Sequence, residues 1–268
     1  MRRGEVERGS KTALVTGAST GIGHCYAEQL AELGYNLIVV SRSEDKLQEL
    51  AAELESKCAV KVTVHAQDLA LLDAAEQLYA WTKEQGFVVD VLINNAGMFS
   101  FCDMINTPVE RVKRTITLHD ITYTVLCQLF GRDMAERGGG YILNMSSFSV
   151  WMPFPGLALY SASKAYTKAF SEPFAKEMRK RNVFVTAVCP AGIATDLYGL
   201  NKRWQGIGLK LHALSKPSFC ARRGLNSLWR KRQCIVPDWW MRLFIPILSV
   251  LPGFVLNWLR SFTFKWQK

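Results

Sequence analysis

The sequence lacks the residue patterns that mark metal-binding, disulfide-rich and repetitive proteins. Its four histidines form no His-Glu-x-x-His pattern or other ligand cluster, so no metal site is expected. The seven cysteines are odd in number and include no Cys-x-x-Cys pair, which predicts reduced thiols. Internal repeats, low-complexity tracts and a signal-peptide pattern are also missing. These features favour an intracellular, cytoplasmic protein.

Acidic residues are nearly missing from the last quarter of the chain. The 268 residues carry 33 basic and 23 acidic side chains, a net charge of +10. From Asn201 onward there are 13 basic residues and one acid, Asp238, so that part carries +12 and residues 1–200 carry −2. Six of the eight tryptophans lie in the same part: Trp204, Trp229, Trp239, Trp240, Trp258 and Trp266. A near-neutral body therefore precedes a basic, aromatic end.

Short apolar runs alternate with amphipathic helical patterns through about 190 residues. The runs are rich in β-branched residues, as buried parallel strands are. The predicted strands are Thr12–Thr16, Asn36–Val40, Val60–Ala66, Val89–Ile93, Tyr141–Met145, Val183–Val188 and Gln233–Val236. Helical spacing predicts helices over Cys25–Leu33, Asp45–Leu54 and Ala70–Trp81. Because each parallel crossover needs a helix, this order predicts an α/β fold with a doubly wound, Rossmann-like parallel sheet.

The composition divides the chain into three parts. Residues 1–10 are short and polar and predict a disordered arm. Residues 11–237 predict one Rossmann-type domain, with a glycine-containing substrate flap at about 196–216. Residues 238–268 form an apolar and basic segment, which we expect to be a helical C-terminal extension.

A glycine-rich turn joins the first predicted strand to the first helix. Glycines let backbone N–H groups approach a pyrophosphate, and the helix N-terminus favours its negative charge. A tight turn without a ligand is the alternative, but a strand before the turn and a helix after it favour a dinucleotide site. The expected contacts are Gly17, Ser19, Thr20, Gly21, Ile22 and Gly23.

The end of the second strand indicates which dinucleotide is preferred. A carboxylate there would bind the adenosine ribose and disfavour a 2′-phosphate. The sequence instead has Ser41 and Arg42, a hydroxyl and a guanidinium that suit a phosphate. Arg42 could also be an ordinary surface charge. We expect NADP(H) to be preferred over NAD(H).

Three further motifs follow in order: Asn94-Asn95-Ala96-Gly97, Ser147, and Tyr160-Ser161-Ala162-Ser163-Lys164. With the glycine turn they make the chain resemble the short-chain dehydrogenases/reductases over roughly residues 11–195. The resemblance implies an oxidoreductase that interconverts a secondary alcohol and a ketone, working as a homodimer or homotetramer. It also implies further cofactor contacts from Asp68, Leu69, Asn95, Ala96, Gly97, Tyr160, Lys164, Pro190, Gly192, Ile193 and Thr195.

The resemblance assigns catalysis to Ser147, Tyr160 and Lys164. Tyr160 and Lys164 are four residues apart and share one helix face. A nearby ammonium, with the oxidised nicotinamide, is expected to lower the pKa of the phenol, which is about 10 when free. Ser147 would hold the substrate oxygen while Tyr160 exchanges the proton. Ser146 is adjacent, but strand alternation points it to the opposite face.

Two positions depart from the family pattern. Related enzymes have an asparagine in the helix before the fifth strand, where it holds a water of the proton relay. Alignment on Thr124-Val125-Leu126-Cys127 places Asp120 there, beside His119, for which we expect a structural role. Ionised aspartate accepts hydrogen bonds but donates none. After the sixth strand, Ala191 stands where the family has glycine, and Gly192 follows it.

The C-terminal segment has no charge between Arg242 and Arg260, but Pro246, Pro252 and Gly253 interrupt it. A spanning helix needs about 20 apolar residues, so a transmembrane helix is not expected. Two compatible interpretations remain: peripheral contact with a membrane interface, or an arm over the substrate pocket or a partner subunit. Nucleic-acid binding is not expected, because long apolar runs separate the basic residues.

The apolar end favours a lipophilic substrate, such as a hydroxysteroid, a retinoid-like alcohol or a 3-oxoacyl chain. A non-catalytic NADP(H)-binding scaffold or sensor at a membrane is the alternative function. The intact Ser147, Tyr160 and Lys164 argue against that alternative, and Asp120 is the one feature in its favour.

Overall fold

The computed structural model describes residues 4–195, 197, 201–210, 213–256 and 258. A seven-stranded parallel sheet with the order β3-β2-β1-β4-β5-β6-β7 forms its centre. The strands are β1 Thr12–Thr16, β2 Asn36–Ser41, β3 Val62–Ala66, β4 Val89–Asn94, β5 Gly140–Met145, β6 Val183–Val188 and β7 Cys234–Ile235. The prediction of a doubly wound, Rossmann-like sheet is confirmed.

Helices connect the strands on both faces of the sheet. They are α1 Gly21–Glu32, α2 Glu44–Cys58, α3 Ala74–Glu84, α4 Val109–Ile116, α5 Tyr123–Glu136, α6 Ala158–Arg179, α7 Lys202–Lys210, α8 Pro217–Trp229 and α9 Ile245–Ser249. Short 3-10 turns cover Met104–Asn106, Phe148–Trp151 and Trp239–Phe244. A π-helical turn, Thr117–Thr122, joins α4 to α5.

The sheet buries both of its faces, which explains why its strands are continuous apolar runs. In β1, Ala13 and Val15 belong to the core layer that packs against α1, α2 and α8. Leu14, between them, belongs to the layer that packs against α3, α5 and α6. Each large side chain buried in this way stabilises the fold by about 1.5–3 kcal/mol.

The direction of winding reverses at β1, which pairs with β2 on one side and with β4 on the other. The crevice outside the carboxyl ends of these strands is where open α/β sheets bind ligands. Thr16, the last residue of β1, leads into the glycine turn, and Asn94, the last of β4, leads into the Asn-Asn-Ala-Gly motif. The fold thus brings these two motifs to one edge.

Of the predicted N-terminal arm, residues 1–3 lie outside the described residues, and part of the rest is hydrogen-bonded to the residues that follow α1. The Val6 N–H donates to the Leu33 carbonyl, and the Gly9 N–H donates to the Gly34 carbonyl. Gly4 and Gly9 both have positive φ values, of 86° and 73°, which let the segment turn along the end of α1.

The predicted flap and C-terminal segment are described only in part. Of the flap, residues 196, 198–200 and 211–212 lie outside the described residues, and α7 occupies much of the rest. In the segment after Pro237, residues 257 and 259–268 lie outside them. Within the described ranges, no helix is long and apolar enough to cross a membrane.

Candidate active site

A cleft of about 890 Å³ opens at the carboxyl edge of the sheet, over the crossover between β1 and β4. It is lined by Ser147 and by every predicted cofactor residue except Gly23 and Gly192. Asp120 does not line it. Sequence reasoning missed several lining residues, among them Lys46, Gln67, Met98, Met145 and Lys216. Lys46 could have been found from the sequence, because it is a second basic residue only four positions after Arg42.

The glycine turn is locked to the Asn-Asn-Ala-Gly loop by hydrogen bonds. The Thr16 hydroxyl donates to the Ile93 carbonyl and accepts from the N–H groups of Asn95 and Ala96, at 2.9 and 3.0 Å. The Asn95 amide donates to the Thr16 carbonyl at 2.9 Å. These bonds hold the two loops together before any ligand arrives.

Close backbone approach explains why glycines are needed in this turn. Gly17 has a φ of +67°, and a Cβ there would lie 2.8 Å from the Ala96 Cα. A Cβ on Gly23 would lie 2.1 Å from the Gly17 carbonyl oxygen. Both distances are too short for an alanine, so these glycines let the turn pack closely against the loop after β4 and against the start of α1. Gly17 and residues 19–22 then form a backbone cradle that lines the cleft. Such a cradle at a helix N-terminus fits the pyrophosphate of a dinucleotide.

The far end of the cleft carries the residues predicted for the adenosine. Ser41 and exposed Arg42 leave β2 there, and Lys46 joins them from α2. Asp68 accepts hydrogen bonds from Arg114 at 2.6 Å and from the Ala70 N–H at 3.0 Å. Burial pushes the pKa of Asp68 upward, but these hydrogen bonds hold it below its usual value.

Ser147, Tyr160 and Lys164 meet at the centre of the cleft and are almost completely buried. The Lys164 ammonium donates to the Met145 carbonyl at 2.9 Å and lies 5.3 Å from the centre of the Tyr123 ring. Ser146 also lines the cleft, but its hydroxyl donates to the main-chain carbonyl of Lys164 at 2.7 Å. The three predicted catalytic side chains are therefore together.

Burial sets the protonation of this cluster. Burial raises the pKa of Tyr160 to about 12, with an opposing contribution from the Ser147 hydroxyl. Burial lowers the pKa of Lys164 to about 7, and the Asp120 carboxylate opposes that shift. The sequence predicted a lowered phenol pKa, but it does not reveal how completely the phenol is buried. In Tyr160, burial outweighs the opposing hydrogen bond with Ser147.

Asp120 and His119 occupy different surroundings in the π-helical turn. Asp120 is partly buried, its Oδ1 has no hydrogen-bond partner among the described residues, and burial raises its pKa to about 7 against the charge of Lys164. His119 is fully buried, and its Nε2 accepts from the Met98 N–H at 3.1 Å. A Cβ on Gly97 would lie 3.1 Å from this Nε2. The turn thus directs His119 towards the Asn-Asn-Ala-Gly loop.

The loop after β6 closes the other side of the cleft. The Phe148 N–H donates to the Pro190 carbonyl at 2.8 Å, which ties the loop to the residue after Ser147. A Cβ on Gly192 would lie 2.7 Å from the end of the Leu214 side chain and 3.0 Å from the Ala213 carbonyl oxygen, so Gly192, which follows Ala191, packs closely against residues 213–214. The Thr195 methyl would be 3.2 Å from a Cβ on Gly21, so this loop reaches the glycine turn.

A cluster of aromatic side chains packs beside Tyr160. The Phe99 ring packs edge-on against the Tyr160 ring, with 4.9 Å between centroids. Phe101 lies 6.4 Å from Phe99 and 6.0 Å from Phe154. Sequence reasoning missed these residues, although Phe99 and Phe101 lie two and four residues after the Asn-Asn-Ala-Gly motif. They give Tyr160 an apolar, aromatic neighbourhood on this side.

The model of the short chain dehydrogenase family matches residues 11–206. The chain belongs to the short-chain dehydrogenase family. Proteins of this fold bind NAD(P), and a solved relative from Sphingobium yanoikuyae is in complex with NADPH. That structure has a TM-score of 0.77 and 28% identity and covers 91% of this chain and 97% of its own.

The bulky-bulky ketone specific alcohol dehydrogenase from Comamonas testosteroni has a TM-score of 0.75 at 26% identity, and the alignment covers 91% of this chain and 95% of that protein. Among curated relatives, the very-long-chain 3-oxoacyl-CoA reductase of Rattus norvegicus is 35% identical over 198 residues, 71% of this chain and 62% of the relative. The 17-beta-hydroxysteroid dehydrogenase type 3 of Danio rerio is 31% identical over 199 residues, which make up 72% of this chain and 64% of the relative. This short-chain dehydrogenase thus spans less than two thirds of those two relatives' length.

Proposed function

We propose that the protein is an NADP(H)-dependent oxidoreductase that interconverts a secondary alcohol and a ketone on an apolar, lipid-like substrate. The observation that carries the proposal is the meeting of Ser147, Tyr160 and Lys164 beside the backbone cradle of Gly17 and Gly23. The aromatic cluster of Phe99, Phe101 and Phe154 beside Tyr160 supports an apolar substrate. The names of the 3-oxoacyl-CoA reductase and hydroxysteroid dehydrogenase relatives support a lipid-like one.

The protein would bind the cofactor along the whole cleft. The glycine turn would hold the pyrophosphate, Asp68 and Leu69 the adenine end, and the loops at 95–97 and 190–195 the nicotinamide end. When bound, the dinucleotide supplies or accepts the hydride. All other chemistry falls to side chains of this chain.

Ser147 and Tyr160 would act on the substrate oxygen. The Ser147 hydroxyl donates a hydrogen bond to it, and Tyr160 donates its proton to it in the direction of reduction. With a pKa of about 12, Tyr160 carries this proton throughout the neutral range. A charged Lys164 would stabilise the phenolate that remains, and the Asp120 carboxylate would keep Lys164 charged.

Replacing Tyr160 by Phe tests the proton-transfer role. The Tyr160→Phe variant should lower kcat for ketone reduction by about 10²–10⁴-fold, because it removes only the proton donor. Its Kd for NADPH, measured by fluorescence titration, should stay within about twofold of the wild-type value. Tyr166→Phe, an exposed tyrosine on the same helix, is the matched control and should retain activity. Comparable turnover by the two variants would contradict the assigned role.

The pH dependence of kcat/KM in the same ketone-reduction assay tests whether the Asp120 carboxylate keeps Lys164 charged. The Asp120→Asn variant removes the carboxylate that favours the Lys164 ammonium, so the pKa of Lys164 should fall further. The alkaline limb of kcat/KM, where Lys164 loses its proton, should then move to lower pH. Glu49→Gln, on the exposed face of α2, should leave the limb in place. A limb that stays or moves to higher pH in Asp120→Asn would exclude this role.

The preference for NADP(H) rests on charge at the adenosine end of the cleft. Ser41, Arg42 and Lys46 line it there. A 2′-phosphate would gain charge-assisted hydrogen bonds from the guanidinium and the ammonium. A ribose hydroxyl would gain much less from them, so these residues favour the phosphorylated dinucleotide.

Binding of both dinucleotides to an Arg42→Gln variant checks this preference. The Kd for NADPH should rise by at least about tenfold, since one charge-assisted hydrogen bond contributes about 1.5–3 kcal/mol. The Kd for NADH should change by less than about threefold. Arg179→Gln, at the end of α6, controls for the loss of a positive charge. Wild-type protein that binds NADH more tightly than NADPH would contradict the proposed preference for NADP(H).

The start of the C-terminal segment supports peripheral membrane contact. One side of it, with Met241, Ile245 and Leu248, packs against the cluster of Phe148, Cys189 and Val236. The other side exposes large apolar side chains, which are between 44 and 76% exposed: Trp239, Leu243, Phe244, Ile247, Val250, Phe254 and Trp258. Aromatic and apolar side chains of this kind, next to basic residues, are typical of segments that lie in a membrane interface.

Flotation with phosphatidylserine-containing vesicles tests this contact. A Leu243→Gln/Phe254→Gln variant should float in a clearly smaller fraction than the wild type, because it loses two exposed apolar side chains. Leu72→Gln/Val109→Gln removes two equally exposed residues from the main body and should float like the wild type. Recovery of wild type and both variants in the unbound fraction would favour an arm over the pocket.

Homo-oligomerisation is proposed from the family resemblance. Helix α6 exposes Tyr166, which stacks on Phe170, and Phe170 stacks on Phe174. An aromatic row on the long helix next to the site would suit a contact with a second subunit.

A further inference from the structure

His119 is fully buried, and both of its ring nitrogens have hydrogen-bond partners. The Met98 N–H donates to Nε2 at 3.1 Å, and Nδ1 lies 2.8 Å from the Ser163 hydroxyl oxygen. Met98 directly follows the Asn-Asn-Ala-Gly motif, and Ser163 lies on α6 between Tyr160 and Lys164. One imidazole therefore connects the loop after β4 with the helix that carries the reactive tyrosine.

The partners fix the direction of every hydrogen bond in this connection. A backbone N–H can only donate, so Nε2 carries no proton, and a neutral ring then has its proton on Nδ1. The Nδ1–H donates to the Ser163 hydroxyl, which in turn donates to the Tyr160 carbonyl at 2.9 Å. Burial and the charge of Lys164 hold the pKa of His119 well below its usual value, so the ring stays neutral.

The loop that His119 holds carries Phe99, an aromatic neighbour of Tyr160. Phe99 is adjacent to Met98, and its ring packs 4.9 Å from the Tyr160 ring. The imidazole also packs tightly against Gly97, where a Cβ would lie 3.1 Å from Nε2 and 3.6 Å from the Lys164 ammonium. Movement of the imidazole would therefore displace the backbone that places Phe99 over the tyrosine.

We propose that His119 is a positioning residue for substrate selection, which acts by clipping the loop at 97–99 to α6 so that Phe99 forms one wall of the substrate pocket. This proposal rests on the proposed oxidoreductase function. His119 touches neither the substrate nor the cofactor in this role. Its loss should weaken the binding of bulky apolar ketones more than it slows proton transfer.

Paired substitutions at position 119 test the clip. His119→Leu removes both hydrogen bonds and leaves the Met98 N–H buried without a partner, whereas the amide of His119→Gln offers one acceptor and one donor. We expect His119→Leu to raise KM for a bulky apolar ketone by at least about tenfold, with kcat within about threefold. His119→Gln should restore KM to within about threefold of wild type. Equal defects in the two variants, or a defect confined to kcat, would overturn the proposal.

The tautomer of His119 gives a readout that needs no turnover. Long-range nitrogen–proton NMR on the wild-type protein should show a protonated Nδ1 and an unprotonated Nε2, and Ser163→Ala should perturb the Nδ1 signal while leaving the fold intact. A protonated Nε2 would contradict the clip even if His119→Leu fails to fold. Wild-type protein that shows this tautomer but reduces no ketone would refute the proposed function and leave the clip standing.

Discussion

The buried ammonium of Lys164 is the interaction on which the rest of the site depends. A charged group out of water is costly unless polar partners surround it. The Met145 carbonyl, the Tyr123 ring and the Asp120 carboxyl provide such partners from three different elements. The end of β5, the π-helical turn and the start of α5 thus converge on Lys164, which α6 carries.

The sheet and its phosphate turn could be predicted from the sequence, because local patterns encode them. Continuous β-branched runs mark strands that are buried on both faces, and Gly17 and Gly23 mark a backbone cradle. The boundaries were less exact: β3 begins at Val62 rather than Val60, because left-handed Ala59 ends α2 and the Lys61 N–H donates to the Asn36 side chain instead of a strand partner.

The parts that could not be predicted depend on contacts between distant residues. Nothing local shows that His119 faces Met98 and Ser163 while its neighbour Asp120 does not, because a π-helical turn sets their directions. The pKa of Tyr160 likewise depends on burial by residues from several loops. The contrast in net charge between residues 1–200 and the rest of the chain needs no structure, because it follows from counting residues alone. It points to the C-terminal part as the region that distinguishes this chain.

The most direct test of the central claim follows an isotope from cofactor to product. The full chain is incubated with NADPH carrying deuterium at the nicotinamide C4, together with either a 3-oxoacyl-CoA or an oxosteroid, and the products are analysed by mass spectrometry. If the protein is the proposed oxidoreductase, at least one ketone will yield an alcohol with one deuterium on its carbinol carbon. Tight NADPH binding with no labelled alcohol from either class of ketone would contradict it.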